Sequence, residues 1–202
     1  MSSRSGLPIV ELLVVFLVVY LLQFVTAFAD LVGHLFVLTP PIDDEPWTIV
    51  TSVYAHANPG HLISNAVALV LVGLPVALST TRLRFHAFFL TAGAIAGVSQ
   101  IVFSDALSVV PILSYSATVG VLGASGGVFA LLGYLLASNR LSTKLATAIA
   151  IPAWIGFALF IVIAAVVTVV TASPRAALIA HFVGLLVGLV AGYFNLLDPR
   201  NR

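Results

Sequence analysis

The sequence predicts an all-α polytopic membrane protein of six transmembrane helices, and three observations carry that reading. Of the 202 residues, 61% are hydrophobic and 7% charged, against about 25% charged in an ordinary soluble domain. Eight basic and seven acidic side chains cannot coat a water-facing globule of this size. Apolar runs of spanning length recur along the chain, and the basic residues gather in alternate gaps between them. The same composition excludes disorder, and a net charge of +1 without a basic stripe excludes a nucleic-acid surface. With no cysteine there is no disulfide framework, thiolate nucleophile or zinc–thiolate site.

A helix crossing the hydrocarbon core needs about 20 predominantly apolar residues. The sequence offers spans at 7–29, 61–79, 87–103, 125–138, 146–171 and 176–197. They form a single membrane domain over residues 1–202, without internal repeat or linker. Arg4 and the run ending Ala27-Phe28-Ala29 also look like a signal peptide with its cleavage site. At about 23 residues, however, the run exceeds the 7–15 of an h-region, so it reads as a span. The gap at 30–60 holds Pro40-Pro41, an acidic run, Trp47 and Tyr54. These fit an outer loop partly sunk in the membrane, with Trp47 near the interface. The fourth span is too short if it starts at Ser125. Either residues 109–122 dip into the membrane ahead of it, or its first turn lies below the surface. Non-helical backbone at that depth is tolerated only inside protein or beside a water-filled cavity.

Six spans place Arg4, Arg82, Arg84, Arg140, Lys144, Arg200 and Arg202 on one side and only Arg175 on the other. Asp30, Asp43, Asp44, Glu45 and Asp105 fall with Arg175. That asymmetry predicts cytoplasmic N- and C-termini.

Polar residues inside spans are costly and point to function. Gly123-Ala124-Ser125-Gly126-Gly127 fits G-x-S-x-G, where small neighbours expose a serine on a tight turn into a helix. Taken alone, the pattern fits close helix packing as well. His181 shares one helical face with Gly184, Gly188 and Gly192, and glycines four apart let another helix approach. The fourth span has its own small face at Gly126, Ala130, Gly133 and Ala137. Packing the two faces together places His181 beside Ser125. His181 lies six residues past Arg175, roughly 9 Å below it on a helix. His61 and Asn65, one turn apart in the second span, add hydrogen-bond donors; a helix-start decoration fits them too. Together the residues suit acyl transfer. A neutral histidine takes the serine proton, and Asn65, His61 and the Ser125 N–H supply an oxyanion. No carboxylate stands near His181 in sequence, so the pair reads as a dyad.

Gly123-x-Ser125-Gly126, Ala180-His181-x-x-Gly184-x-x-x-Gly188 and His61-x-x-x-Asn65, in this order and on these spans, resemble the rhomboid intramembrane serine proteases in their minimal six-helix form. The resemblance implies Ser125 as nucleophile, His181 as general base and acid, and Asn65 and His61 at the oxyanion. Gly123, Gly126, Phe129 and Gly184 would support them. His56 matches a loop position where the family often has histidine. Trp47 fits the tryptophan of the family's Trp-Arg pair, but Thr48 stands in place of the arginine. Phe129 stands where a tyrosine often packs on the histidine. The implied activity is serine-type endopeptidase cleavage in or beside transmembrane segments of other proteins, which enter near the second and fifth spans. No metal or other cofactor is required, and His34 and His86 read as loop or interface residues. The implied location is the cell membrane, with the lipid bilayer as surroundings and the site opening to the non-cytoplasmic side.

Two other functions fit parts of the sequence. In a transporter, Gln100 would line a path and Glu11 would carry a proton, yet neither repeats nor paired broken helices occur. A silent relative would bind membrane helices without cutting them; a serine-reactive probe separates it from an enzyme.

Overall fold

Backbone polar groups have no water to bond with in hydrocarbon, so apolar runs satisfy them internally as helices. The computed structural model describes residues 8–110, 116–138, 152–171 and 177–199, and those residues follow this rule. Helix α1 is Pro8–Ala27. The loop expected on the outer side (the outer loop) carries two short helices, α2 (Val32–Phe36) and α3 (Thr48–Thr51), and a 3₁₀ turn at Ser52–Tyr54. Then come α4 (Pro59–Ala77), α5 (Arg82–Ser108), α6 (Ser125–Ala137), α7 (Ala153–Val170) and α8 (Leu178–Tyr193). On length and composition, α1, α4 and α5 can each cross a membrane, while α6, α7 and α8 are shorter apolar helices.

Local signals set the ends. Asn58 caps α4 by accepting the His61 N–H at 2.9 Å, with Pro59 in the first turn. Thr81 caps α5. Asp30 and Asn195, at φ 57° and 50°, turn the chain out of α1 and α8. There Leu31 N–H bonds the Thr26 carbonyl and Leu196 N–H bonds the Ala191 carbonyl. The third span was expected at 87–103 but the helix is longer at both ends. Arg82, Arg84 and Asp105 break the apolar run without breaking the helix, whose 27 residues exceed the ~20 that a hydrocarbon core needs. The expected sixth span to 197 ends as helix at Tyr193, because Asn195 leaves the right-handed region. Of the expected fifth span, residues 146–151 lie outside the described residues.

Helix α6 sits at the centre, packed on α4, α5 and α8, while α8 also meets α5 and α7. The contact of α6 with α8 is backbone to backbone. A Cβ on Gly184 would strike the Gly126 carbonyl, one on Gly188 the Ala130 carbonyl, and one on Gly133 the Leu185 carbonyl. A Cβ on Gly192 would lie 2.9 Å from the Ala137 Cβ. The two small faces read from the sequence do meet. Phe16, Leu69, Phe89 and Leu131 fill the main core between α1, α4, α5 and α6.

At the end of the bundle remote from Ser125, Glu11 pairs with Arg82 at 2.8 Å and with His86 at 2.7 Å. Beside them Arg84 donates to the Asp198 carbonyl, and the Thr80 hydroxyl donates to the Leu197 carbonyl at 2.6 Å. Glu11 therefore holds α1 to α5, and the role of proton carrier is not needed to account for it. Arg4, Arg140, Lys144, Arg175, Arg200 and Arg202, used in the charge asymmetry, lie outside the described residues.

Candidate active site

Ser125 is the first residue of α6, so its N–H has no acceptor within the helix. The turn before it depends on Gly123, whose φ of +137° disfavours any side chain. The Gly123 N–H donates to the Ser52 carbonyl at 2.9 Å, and Leu38 and Val121 exchange two backbone bonds of 2.9 Å. The segment 116–122 is thus extended and tied to the outer loop. That accounts for the short fourth span: non-helical chain lies ahead of Ser125, while residues 111–115 of the expected 109–122 stretch lie outside the described residues.

His181, in the first turn of α8, places Nε2 3.0 Å from the Ser125 Oγ. The seam of small residues makes this distance possible. Gly184, one turn along from His181, lies against Gly126, the neighbour of Ser125. The Phe129 ring stacks on the imidazole, with centroids 4.4 Å apart and planes 28° apart. His181 Nδ1 is buried and finds no hydrogen-bond partner among the described residues.

His61 and Asn65 come from the first turns of α4. Asn65 is buried, and its Nδ2 donates to the His61 carbonyl at 3.0 Å. An amide nitrogen carries two protons, so a second N–H stays available. The His61 ring lies against Gly123, where a Cβ would sit 3.0 Å from Nε2. The Ala57 N–H points at His61 Nδ1 from 3.5 Å, a long contact that favours the proton on Nε2. All four residues line one cavity of about 1110 Å³, open to the surface.

Three nearby residues take places that the sequence did not give them. Gln100, a candidate for a transport path, is buried. It donates to the Thr118 hydroxyl at 2.8 Å and accepts the Ala180 N–H at 3.2 Å, tying the start of α8 to α5. His56 is buried between the Phe16 and His61 rings, at 5.0 and 5.3 Å. Burial, and secondarily the His61 imidazole, lower its pKa to about 4, the Tyr54 carbonyl opposing weakly from outside hydrogen-bond geometry. Thr48 does not leave the outer loop untied. Its hydroxyl bonds the Glu45 carbonyl at 2.6 Å, Glu45 pairs with His34, and Trp47 Nε1 donates to the His34 carbonyl at 2.8 Å. The His34–Glu45 pair and the Trp47–His34 bond join residues 11 and 13 positions apart, beyond the reach of local pattern.

The family model described as Rhomboid domain matches residues 43–197, which run from the outer loop through Ser125 and His181 to the end of α8. The chain belongs to the rhomboid family. It is accordingly an integral, multi-pass membrane protein. Rhomboids are usually intramembrane serine proteases that act on membrane-protein substrates within the bilayer. The match includes every residue of the Ser125 cavity named above.

Proposed function

We propose that this rhomboid is an active intramembrane serine endopeptidase with Ser125 as nucleophile and His181 as general base and acid. The observation that carries the reading is the 3.0 Å contact between His181 Nε2 and Ser125 Oγ. A serine hydroxyl is a weak nucleophile until a base accepts its proton. Nε2 is placed to take it as Oγ bonds to the scissile carbonyl carbon. The carbonyl oxygen then becomes an oxyanion facing the Ser125 N–H, the free Asn65 N–H and His61 Nε2–H. Such donors act strongly in a low-dielectric cleft. His181 returns the proton to the leaving amine, the C–N bond breaks, and an acyl-serine remains. Water, activated by the same histidine, hydrolyses that ester and regenerates Ser125.

In this reading the chain crosses the bilayer six times with both termini cytoplasmic. The cavity then opens on the non-cytoplasmic side, at the end away from Arg82 and Arg84. The substrate is a transmembrane segment that must unwind locally to present its scissile carbonyl, so helix-weakening residues there favour cleavage. A reading as a silent relative predicts an intact fold without turnover. Incubating the purified protein in liposomes with a reporter transmembrane substrate separates the two. The wild type is expected to cut it and Ser125→Ala to leave it whole. Equal cleavage by both proteins would remove Ser125 from the chemistry.

A further inference from the structure

When Nε2 of His181 accepts the serine proton, the proton of the neutral ring resides on Nδ1. That N–H is buried without a partner, and its need for an acceptor grows as the ring becomes an imidazolium. Apart from the ring nitrogens of His56, one other described side-chain atom shares this condition: the hydroxyl oxygen of Thr168 on α7. Thr168 is 6% exposed on a helix whose neighbours Val166, Val169 and Val170 are each more than half exposed. Threonines in helices commonly donate to the carbonyl four residues back. Thr26, Thr91 and Thr171 do so at 2.8, 2.7 and 2.7 Å, whereas Thr168 leaves its oxygen unengaged.

The packing of α7 on α8 puts the two orphaned atoms at one level. The Phe160 ring lies 6.0 Å from that of Tyr193, Ala164 shares a buried cluster with Leu185 and Leu189, and Thr171 and Ala177 line the same cavity. The helices therefore run antiparallel. One turn outward from the Ala164–Leu185 level brings α7 to Thr168 and α8 to His181.

We propose that Thr168 is a positioning residue for His181, its hydroxyl accepting the Nδ1–H on the side of the ring away from Ser125. This rests on the reading of Ser125 and His181 as the catalytic dyad. A hydroxyl accepts and donates at once, so Thr168 takes the Nδ1–H while its own proton turns to the Ala164 carbonyl. The bond is not made in the resting structure. A turn of the Thr168 side chain closes it as charge develops on the ring, so its benefit falls on kcat. It also makes the dyad sensitive to where α7 stands.

The test compares wild type, Thr168→Val and Thr168→Ser as full-length protein in detergent. The measured quantities are kcat and KM on a reporter transmembrane substrate, the rate of fluorophosphonate labelling, and Tm. Valine keeps the shape and removes the hydroxyl. It is expected to lower kcat and labelling about tenfold, the size of one hydrogen bond, with KM unchanged and Tm no lower. Serine is expected to restore both rates to within about twofold. A valine variant with wild-type kcat and labelling would overturn the proposal, and so would a serine variant as slow as valine. Wild-type protein that neither cuts nor labels would instead overturn the dyad reading beneath it.

Discussion

Helices α6 and α7 both pack on α8, and they do so in opposite ways. Between α6 and α8, glycines at 133, 184, 188 and 192 leave no room for a side-chain carbon. Between α7 and α8 the contact is made by side chains such as Ala164, Val167, Phe160 and Phe182. Most of α7 faces away: Trp154, Ile161, Val162, Val166 and Val169 are all more than half exposed. Gly156 has no atom within 4 Å of where a Cβ would stand. The comparison teaches where rigidity is placed. Ser125 and His181 sit on the seam that cannot shift without backbone collision, which keeps Oγ and Nε2 in register. The wall beside them is held by replaceable packing, so it can move at low cost.

The largest expected effect breaks the seam. Gly188→Val drives a side chain into the Ala130 backbone, and overpacking against atoms that cannot rotate away is expected to cost about 3 kcal/mol or more. Unfolding followed by circular dichroism in detergent measures it. A valine variant as stable as wild type would mean the seam is not rigid.

A second effect concerns the fixed side of the bundle, where His56 is enclosed by Phe16 and His61. Its pKa falls from 6.5 to about 4 on folding, so the unfolded chain takes up its proton first as pH drops. Its contribution is complete above pH 6.5 and is lost progressively down to about pH 4, by about 2–3 kcal/mol. His56→Phe should flatten the stability–pH curve in that window; an unchanged slope would place the acid sensitivity elsewhere.

Phe129 tests the seam's effect on chemistry. Replacing its stacked ring with leucine removes an aromatic contact of about 0.5–1.5 kcal/mol. Phe129→Leu is expected to lower kcat up to about tenfold, while Phe129→Tyr retains activity. The smallest effect belongs to α7: Gly156→Ala should change stability by no more than about 1 kcal/mol, toward greater stability. A large loss there would show α7 to be packed as tightly as α6.

Much of this arrangement was legible in the sequence because it obeys short periods. The small faces of α6 and α8 repeat every three or four residues, and that repeat alone places His181 beside Ser125. The helix start at Ser125 was legible too, whereas α4, expected from His61, begins at Pro59 because Asn58 caps it. The ends of α5 were not, because charge marks where a helix leaves hydrocarbon, while hydrogen bonding decides where it stops. The roles of Gln100, His56 and Glu11 were also hidden. Gln100 meets residues 18 and 80 positions away, and Glu11 meets one 75 positions away. Pairings at such separations are set by the fold as a whole. The outer loop belongs with them, since the His34–Glu45 pair and the Trp47 bond do not follow from helical or strand periodicity.

The central claim is that a histidine on α8 activates a serine on α6. The most direct measurement is labelling of the purified protein by a fluorophosphonate, with the modified residue located by mass spectrometry. Attack by an activated Oγ displaces fluoride and leaves a phosphonyl ester on that oxygen. The account predicts one adduct, on Ser125, formed rapidly in wild type and nearly abolished in His181→Ala. An unmodified Ser125 in folded wild-type protein, or equal labelling with and without His181, would contradict it.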